Sequence, residues 1–201
     1  MDMTAILSGD IINSRQVDAS IWMKTLKKAL NTFGKSPKVW EVYRGDSFQL
    51  EVDATSALAA AIFIKSEMKQ HKELDIRIAI GLGTKTFSST KITESNGTAF
   101  ENSGDCFNAL KSNLELKSPW PKLDHNLNIA ISLALLTMDS WSTTNAYIFK
   151  NALHNPEMSQ QELAEKIKKS QSNISAGLKR SGYAELSRLL HYFKQQVTER
   201  C

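Results

Sequence analysis

Residues 39–52 read Val-Trp-Glu-Val-Tyr-Arg-Gly-Asp-Ser-Phe-Gln-Leu-Glu-Val, and the organisation of the amino-terminal part can be inferred from them. Two strand-like runs, Val39–Tyr43 and Phe48–Val52, flank the tetrapeptide Arg44-Gly45-Asp46-Ser47. Alternating apolar residues around a short glycine-containing turn are typical of a β-hairpin. The sequence therefore predicts a hairpin with an acidic residue at its tip.

A helix is expected on each side of this hairpin, and a strand beyond each helix. Residues 18–34 carry apolar side chains at helical spacing, and residues 54–71 are alanine-rich with one apolar face. Thr4–Leu7 is typical of a short buried strand that ends at Ser8-Gly9-Asp10. Asp75–Leu82 has an apolar residue at every second position, which predicts another strand. The order strand, helix, hairpin, helix, strand predicts the α+β class, as a ferredoxin-like α/β sandwich on an antiparallel sheet.

The pattern becomes mainly helical from Gly97 onward. Helices are expected at about 98–113, 126–140 and 143–153, with a Pro-bounded strand around Trp120–Leu123. We place the division between a sheet domain, residues 1–124, and an all-α region, residues 125–201.

Composition narrows the class of protein. The chain has 201 residues, 41% hydrophobic and 23% charged, which is ordinary for a globular protein, and no apolar stretch has the length of a membrane span. Two cysteines are too few for a disulfide framework, and the acidic start does not resemble a secretory signal, so a cytoplasmic location and no membrane partner are expected. Residues 151–201 hold 8 Lys and Arg against 5 Asp and Glu, an excess of +3 that favours a polyanionic partner.

Asp10 and Asp46 are the candidate metal ligands. Asp10 follows the first expected strand and Asp46 lies at the hairpin tip, which such a fold brings beside that strand. Carboxylates suit Mg²⁺ or Mn²⁺, and main-chain amides of the loop from Gly9 to Ser14 suit the phosphates of a nucleotide. The alternative is that Gly-Asp pairs simply form turns.

Four stretches in this order resemble the motifs of the SatD family, which is similar to class III nucleotidyl cyclases and GGDEF domains. They are Ala5–Arg15, Tyr43–Gln49, Ile76–Gly83 and Asn96–Phe100. The resemblance implies a cyclase-like ferredoxin palm. It also implies that Asp10, Asp46 and the main-chain carbonyl of Ile11 bind metal, and that the nucleotide phosphates are bound by Gly9, Ile12, Asn13, Ser14 and Arg15.

The chain departs from this family pattern at two places. Ser47 stands where the similar motifs carry a glutamate, and the stretch from Glu101 to Asp105 has no arginine to stabilise charge on reacting phosphates. Loss of such a cation costs several kcal/mol of transition-state stabilisation. Binding of metal and nucleotide is compatible with these departures, whereas efficient turnover is not expected unless a partner chain supplies the cation.

Residues 159–181 resemble the helix-turn-helix of bacterial DNA-binding proteins. Ser159 and Glu162 have capping-box spacing, so a first helix should begin at Ser159, and a second should begin at Ser170. Lys168 stands in the turn where a glycine is usual, so a positive φ is expected there. The second helix of such a motif enters the major groove of duplex DNA.

The outer face of this second helix is the candidate DNA interface. Gln and Asn can bind adenine edges, while Ser and Lys can contact phosphates or bases. One helix-turn-helix makes few phosphate contacts, so a homodimer on two half-sites is expected. The candidate residues are Ser170, Gln171, Ser172, Asn173, Ser175 and Lys179.

Three functions fit these patterns. The first is a DNA-binding transcriptional regulator whose degenerate cyclase-like domain senses a nucleotide or dimerises. The second is a metal-dependent nucleotidyl-transfer enzyme that carries a helix-turn-helix. The third is an interaction protein in which both modules have lost their chemistry. The retained aspartates favour the first over the third, and the absent cation favours the first over the second.

Overall fold

A computed structural model describes residues 3–201, and within them the chain forms a five-stranded sheet and eight α-helices. The strands are β1 (Met3–Ile12), β2 (Trp40–Tyr43), β3 (Ser47–Asp53), β4 (Asp75–Thr84) and β5 (Leu114–Lys117). The helices are α1 (Ala19–Leu30), α2 (Ala57–Met68), α3 (Thr98–Ala109), α4 (Pro121–Met138), α5 (Thr143–His154), α6 (Gln160–Lys166), α7 (Gln171–Arg180) and α8 (Tyr183–Thr198).

The sheet is mixed. Its strand order is β2-β3-β1-β4-β5; β1 lies antiparallel to both β3 and β4, while β5 lies parallel to β4. The expectation of an antiparallel sheet is therefore wrong at the last strand. The cause is α3, because a helical crossover returns the chain in the direction of the strand before it. The strand expected around Trp120–Leu123 is also wrong, since Pro121 is the first residue of α4 and the strand is Leu114–Lys117.

Strand β1 continues well beyond Leu7, where Ser8-Gly9-Asp10 was expected to end it. Gly9 pairs with Phe48 on one side and with Ile78 on the other. A Cβ atom on Gly9 would lie 2.5 Å from Cε1 of Phe48, so the glycine accommodates the phenyl ring. The expectation that Gly9 and Asp10 belong to a loop is wrong, because a glycine can mark a close approach inside a strand as well as a turn.

Helices cover the sheet on both faces. Ala5, Leu7 and Ile11 of β1 pack with α1 and α2 in the main hydrophobic core. The alternate residues of β1 point to the opposite face, where the buried hydroxyl of Ser103 in α3 donates a 2.8 Å hydrogen bond to Oγ of Ser8. Asp10 shares that second face, because it is two residues from Ser8.

The sheet and most of the helical region share one core. The main cluster joins Leu58 of α2 to Leu127 of α4, Phe149 of α5 and Phe193 of α8. The expected division between residues 124 and 125 falls inside α4, whose Asn128 exchanges two 2.9 Å hydrogen bonds with the main chain of Leu116 at the edge of β5. Within residues 3–201, no helix combines the length and the apolar character required to cross a lipid bilayer.

A buried lysine also connects these parts. Nζ of Lys65, on α2, lies 2.6 Å from Oδ1 of Asp75 and 2.7 Å from Oδ1 of Asp139, and its side chain is 1% exposed. Asp75 begins β4, and Asp139 follows α4 directly. Because a buried charge is costly without partners, this triad fixes the end of α4 against the sheet.

Candidate functional site

Asp10 and Asp46 lie at one corner of the sheet. Asp10 of β1 pairs with Ser47 of β3, and Asp46 is the residue just before Ser47. Oδ2 of Asp46 accepts a 2.6 Å hydrogen bond from Oγ of Ser14, in the turn that follows β1. The hairpin tip and the end of β1 are therefore held together by a side-chain contact.

Asp10 forms an ion pair with Arg77 of β4. Nε and Nη2 of Arg77 donate to the two carboxylate oxygens of Asp10 at 2.9 and 2.5 Å, a two-pronged geometry typical of arginine and carboxylate. The guanidinium also lies 5.8 Å from the ring centroid of Phe107 in α3. The hydrogen bond with Asp10 raises the pKa of Arg77, so this site contains a permanent positive charge.

Sequence reasoning missed Arg77. It is one charged residue among the alternating isoleucines of β4, and the register of the sheet sets it directly opposite Asp10. Helix α3 has no arginine where the similar families carry one: Glu101 is exposed there, Ser103 is buried, and Asp105 pairs with Lys117 at 2.7 Å. Arg77 is thus a cation on the same sheet face, provided by a strand.

The expected phosphate-binding residues divide into two groups. Gly9 and Ile12 are strand residues, with Gly9 paired on both sides, whereas Asn13, Ser14 and Arg15 form the turn after β1. Asn13 has φ of 62°, and its Nδ2 donates to the carbonyl of Glu73 at 3.1 Å. Only the turn residues therefore lie at the open end of the strand.

The carboxylate and carbonyl oxygens at this corner are ligands of the kind that Mg²⁺ prefers, but both carboxylate oxygens of Asp10 already accept hydrogen bonds from Arg77. Pairing of β1 with β3 ends at Asp10, so Ile11 has a strand neighbour only on the β4 side. Across residues 3–201, no group of three or more His, Cys, Asp or Glu side chains is arranged to hold a metal ion. Two carboxylates and a carbonyl fit a hydrated divalent ion chemically, provided that Arg77 leaves Asp10.

Tyr43 of β2 borders the corner through its pairing with Ser47. Burial raises the pKa of Tyr43, the charge of Arg44 opposes that shift and the charge of Asp10 adds to it. The phenol is therefore protonated at neutral pH and can act as a hydrogen-bond donor.

The second candidate site begins with the capping box of α6. Oγ of Ser159 accepts from the main-chain N–H of Glu162 at 3.3 Å, and Oε2 of Glu162 accepts from the N–H of Ser159 at 2.8 Å. Two hydrogen bonds to the Glu162 carboxylate lower its pKa: first the one from the main-chain N–H of Ser159, then the one from the Ser159 hydroxyl, also at 2.8 Å. The prediction of a helix beginning at Ser159 is confirmed, with Ser159 as the N-cap.

The turn and the second helix also follow the expected geometry. Lys168 has φ of 54°, as expected for the residue in the glycine position, and the N–H of Lys169 donates to the carbonyl of Ala164 at 2.9 Å. Ser170 caps α7 by accepting from the N–H of Asn173 at 3.3 Å. The sequence signals in this region therefore correspond to two helices joined by a short turn in which Lys168 has a left-handed backbone conformation.

Helix α7 packs closely on α5. A Cβ atom on Gly177 would lie 2.4 Å from Cδ1 of Ile148, so only glycine fits at this crossing without movement. A separate small hydrophobic cluster holds the unit together, and it comprises Ile148, Ala152, Leu163, Ala164 and Ile174. Helices α5, α6 and α7 thus form a three-helix unit with its own core.

The outer face of α7 is polar, positive and exposed. From Lys166 to Ala184 the sequence has five Lys and Arg residues and no Asp or Glu. Such a cluster of basic residues favours a positive potential over the helix, although Glu185 of α8 lines the same groove as Lys179 and Arg180. All six candidate DNA-binding residues are exposed: Ser170, Gln171, Ser172, Asn173, Ser175 and Lys179.

The sequence was compared with protein-family models and with curated proteins. No protein-family model matches the chain. No curated protein matches it either. Function is therefore inferred from the residues and their geometry.

Proposed function

We propose that this protein is a DNA-binding transcriptional regulator that uses the helix-turn-helix of residues 159–181. The observation that carries the proposal is the stretch from Lys166 to Ala184, which surrounds α7 with five basic residues and no acidic one. Clustered positive charge favours the phosphates of duplex DNA. The exposed polar face of α7 supports its assignment as the helix that enters the major groove.

Individual side chains of α7 have distinct roles in this proposal. Gln171 and Asn173 lie in its first turn, and their amides can donate to N7 and accept from N6–H of adenine in the major groove. Ser170, Ser172 and Ser175 suit phosphates or base edges, and Lys179 suits a phosphate. The protein acts as a homodimer, because two copies double the number of phosphate contacts and read two half-sites.

The sheet domain is proposed as the sensing part, with a degenerate SatD-like and cyclase-like palm. The order β2-β3-β1-β4, with helices α1 and α2 as crossovers, supports the proposal of a ferredoxin-like palm. Asp10, Asp46 and the carbonyl of Ile11 would hold Mg²⁺ or Mn²⁺, which neutralises phosphate charge when bound. The turn residues Asn13 to Arg15 would contact the nucleotide phosphates.

A metal-dependent nucleotidyl-transfer enzyme is the second candidate, and Arg77 is the observation that favours it. The guanidinium is a permanent cation beside Asp10. It lies on the sheet face that α3 covers, and α3 itself lacks the arginine that the similar families carry. Its ion pair with Asp10 opposes metal binding, so we expect little or no cyclic or oligonucleotide product with Mg²⁺ or Mn²⁺. Turnover of about 1 s⁻¹ or faster that Asp46→Ala abolishes would establish the enzyme instead.

Fluorescence anisotropy with labelled duplex DNA tests the regulator. The duplex is first selected from random sequences or genomic fragments by the full-length protein. Gln171→Ala or Asn173→Ala should cost about 1 to 3 kcal/mol at the selected site and relax one base preference, whereas Lys179→Ala should weaken all duplexes alike. Lys194→Ala, an exposed lysine of α8, is the matched control and should change nothing. Equal affinities for all four variants and the wild type would refute the assignment of α7.

A further inference from the structure

Helix α4 has an uncovered apolar stripe. Ile129, Leu133 and Leu136 are 50%, 63% and 75% exposed, and their spacing of four and three places them on one side of the helix. The opposite side of α4, which includes Leu127, Ile131 and Leu135, is buried in the core. Helix α4 is thus apolar on both its inner and its outer surface.

This stripe is a concentrated feature and not a scatter of exposed residues. Seven large hydrophobic side chains are exposed among residues 3–201, and α4 holds three of them, while no other element holds more than one. From His125 to Met138 the helix has no Asp, Glu, Lys or Arg. A solvent-facing helix normally carries charges on its outer surface, so an uncharged, leucine-rich surface is typical of an interface.

We propose that this stripe is the homodimer interface, in which α4 packs antiparallel against α4 of a second copy around a two-fold axis near Ser132 and Leu133. The proposal rests on the proposed regulator, for which it identifies the dimer surface. An antiparallel pair centred there sets Ile129 opposite the partner's Leu136 and brings the two Leu133 side chains together. The stripe is therefore complementary to itself, as a two-fold interface requires.

The charges at the ends of α4 favour the same pairing. The helix has Lys122 near its amino terminus, whereas Asp139, directly after its carboxyl terminus, is already bonded to Lys65 and Asn113. Antiparallel packing brings each Lys122 within about one turn of the carboxyl end of the partner's α4, where the helix dipole is negative. A parallel pair would bring the two Lys122 side chains together.

A groove beside the stripe can receive partner side chains. It lies between α4 and α8, and Ala130, Leu133, Ala134 and Leu189 form its apolar wall. Lys179 and Arg180, at the end of α7, line its far side. Dimer formation on α4 would therefore take place next to the proposed DNA-binding helix.

Sedimentation equilibrium of the full-length protein tests the interface. The wild type should be a dimer, and Leu133→Glu should raise its dissociation constant by about 30-fold or more, because it buries a charge at the centre of the contact. Phe87→Glu is the matched control: Phe87 is 58% exposed in the segment between β4 and α3, and its replacement should leave the dimer intact. A monomeric wild type, or a dimer equally stable with Leu133→Glu, would overturn the proposal.

Disulfide trapping tests the direction of packing. Cys106 is buried and Cys201 is exposed, so the experiment uses a Cys201→Ser background. Mild oxidation should join two copies of Ser132→Cys and leave Lys122→Cys as single chains. Cross-linking of Lys122→Cys instead would contradict the antiparallel arrangement.

DNA binding by the same variants separates this inference from the proposed function. A dimer that depends on Leu133 but binds no duplex supports the interface and refutes the regulator. If the protein stays monomeric and still binds DNA with undiminished affinity, the regulator is supported and the dimer interface is refuted.

Discussion

Arg77 of β4 and Asp10 of β1 form the ion pair at the corner of the sheet where the two candidate metal ligands meet. Alternation along Asp75–Leu82 predicted a strand, but it contains no information on which residue of β1 faces which residue of β4. Asp10 and Arg77 are 67 positions apart and become partners only through the register of the sheet. Asp10 and Asp46 could be identified from the sequence because each follows a glycine at an expected strand end or turn. Arg77 lies within a strand and has no such signal beside it.

The ion pair of Arg77 leads to a prediction for nucleotide binding. If a nucleotide with Mg²⁺ occupies this corner, Arg77→Ala should weaken its binding by roughly 10- to 150-fold, because a charge-assisted hydrogen bond to phosphate contributes about 1.5 to 3 kcal/mol. Isothermal titration calorimetry with nucleoside triphosphates and Mg²⁺ measures this. Arg188→Ala, an exposed arginine of α8, is the control. Unchanged or tighter binding by Arg77→Ala would mean that the arginine only blocks Asp10.

Single elements were predicted best where their signals are local. The hairpin, helices α1 and α2, and the capping box of α6 all depend on residues within a few positions of one another, and all are present. Strand β5 was missed because it lies just before Pro119-Trp120-Pro121. The two prolines were interpreted as the boundary of a strand, whereas they mark the start of α4. The length of β1 was missed because Gly9 serves the ring of Phe48, a contact between distant residues.

The capping box permits a prediction about α6. Ser159→Ala removes the acceptor for the N–H of Glu162 and should lower the free energy of unfolding by about 1 kcal/mol. Urea denaturation measures this, with Ser175→Ala, an exposed position inside α7, as a control that should show no loss. Equal stability of the two variants would contradict the prediction.

The pH dependence of this capping box has a defined sign. The pKa of Glu162 is lowered in the folded state, so its ionised carboxylate stabilises the folded protein. This contribution to the free energy of unfolding is complete above the pKa of the unfolded state, and it is lost as the pH falls through the lower pKa of the folded state. Glu162→Gln, which removes the titrating carboxylate, should therefore make stability less sensitive to acid. A variant that loses stability on acidification as steeply as the wild type would show that the capping box contributes nothing.

For the whole molecule, the shared core has a consequence for unfolding. The sheet, α4, α5 and α8 contribute to one hydrophobic cluster, and Lys65 joins Asp75 to Asp139 across their junction. We expect far-UV circular dichroism and tryptophan fluorescence to report one coincident transition in urea. Two separate transitions would show that the sheet domain and the helical region unfold independently.

Replacing Lys65 tests the junction itself. Lys65→Met removes the cation that Asp75 and Asp139 share, while Lys69 still lies 3.3 Å from Asp75 and Asp139 is partly exposed. We expect the protein to be destabilised by about 1 to 3 kcal/mol. Both spectroscopic probes should shift together. Lys24→Met, an exposed lysine of α1, is the control and should shift neither.

The salt dependence of DNA binding tests the central proposal most directly. The full-length protein is titrated against its selected duplex at about 50 and about 200 mM salt, by anisotropy. If the dimer neutralises about four phosphates, the association constant should fall by about 10²-fold. Lys179→Ala should reduce the magnitude of the slope of log K against log salt by about 2, because each copy loses one phosphate contact. Absence of binding at the lower salt concentration, or binding that does not weaken with salt, would contradict the assignment of this protein as a DNA-binding regulator.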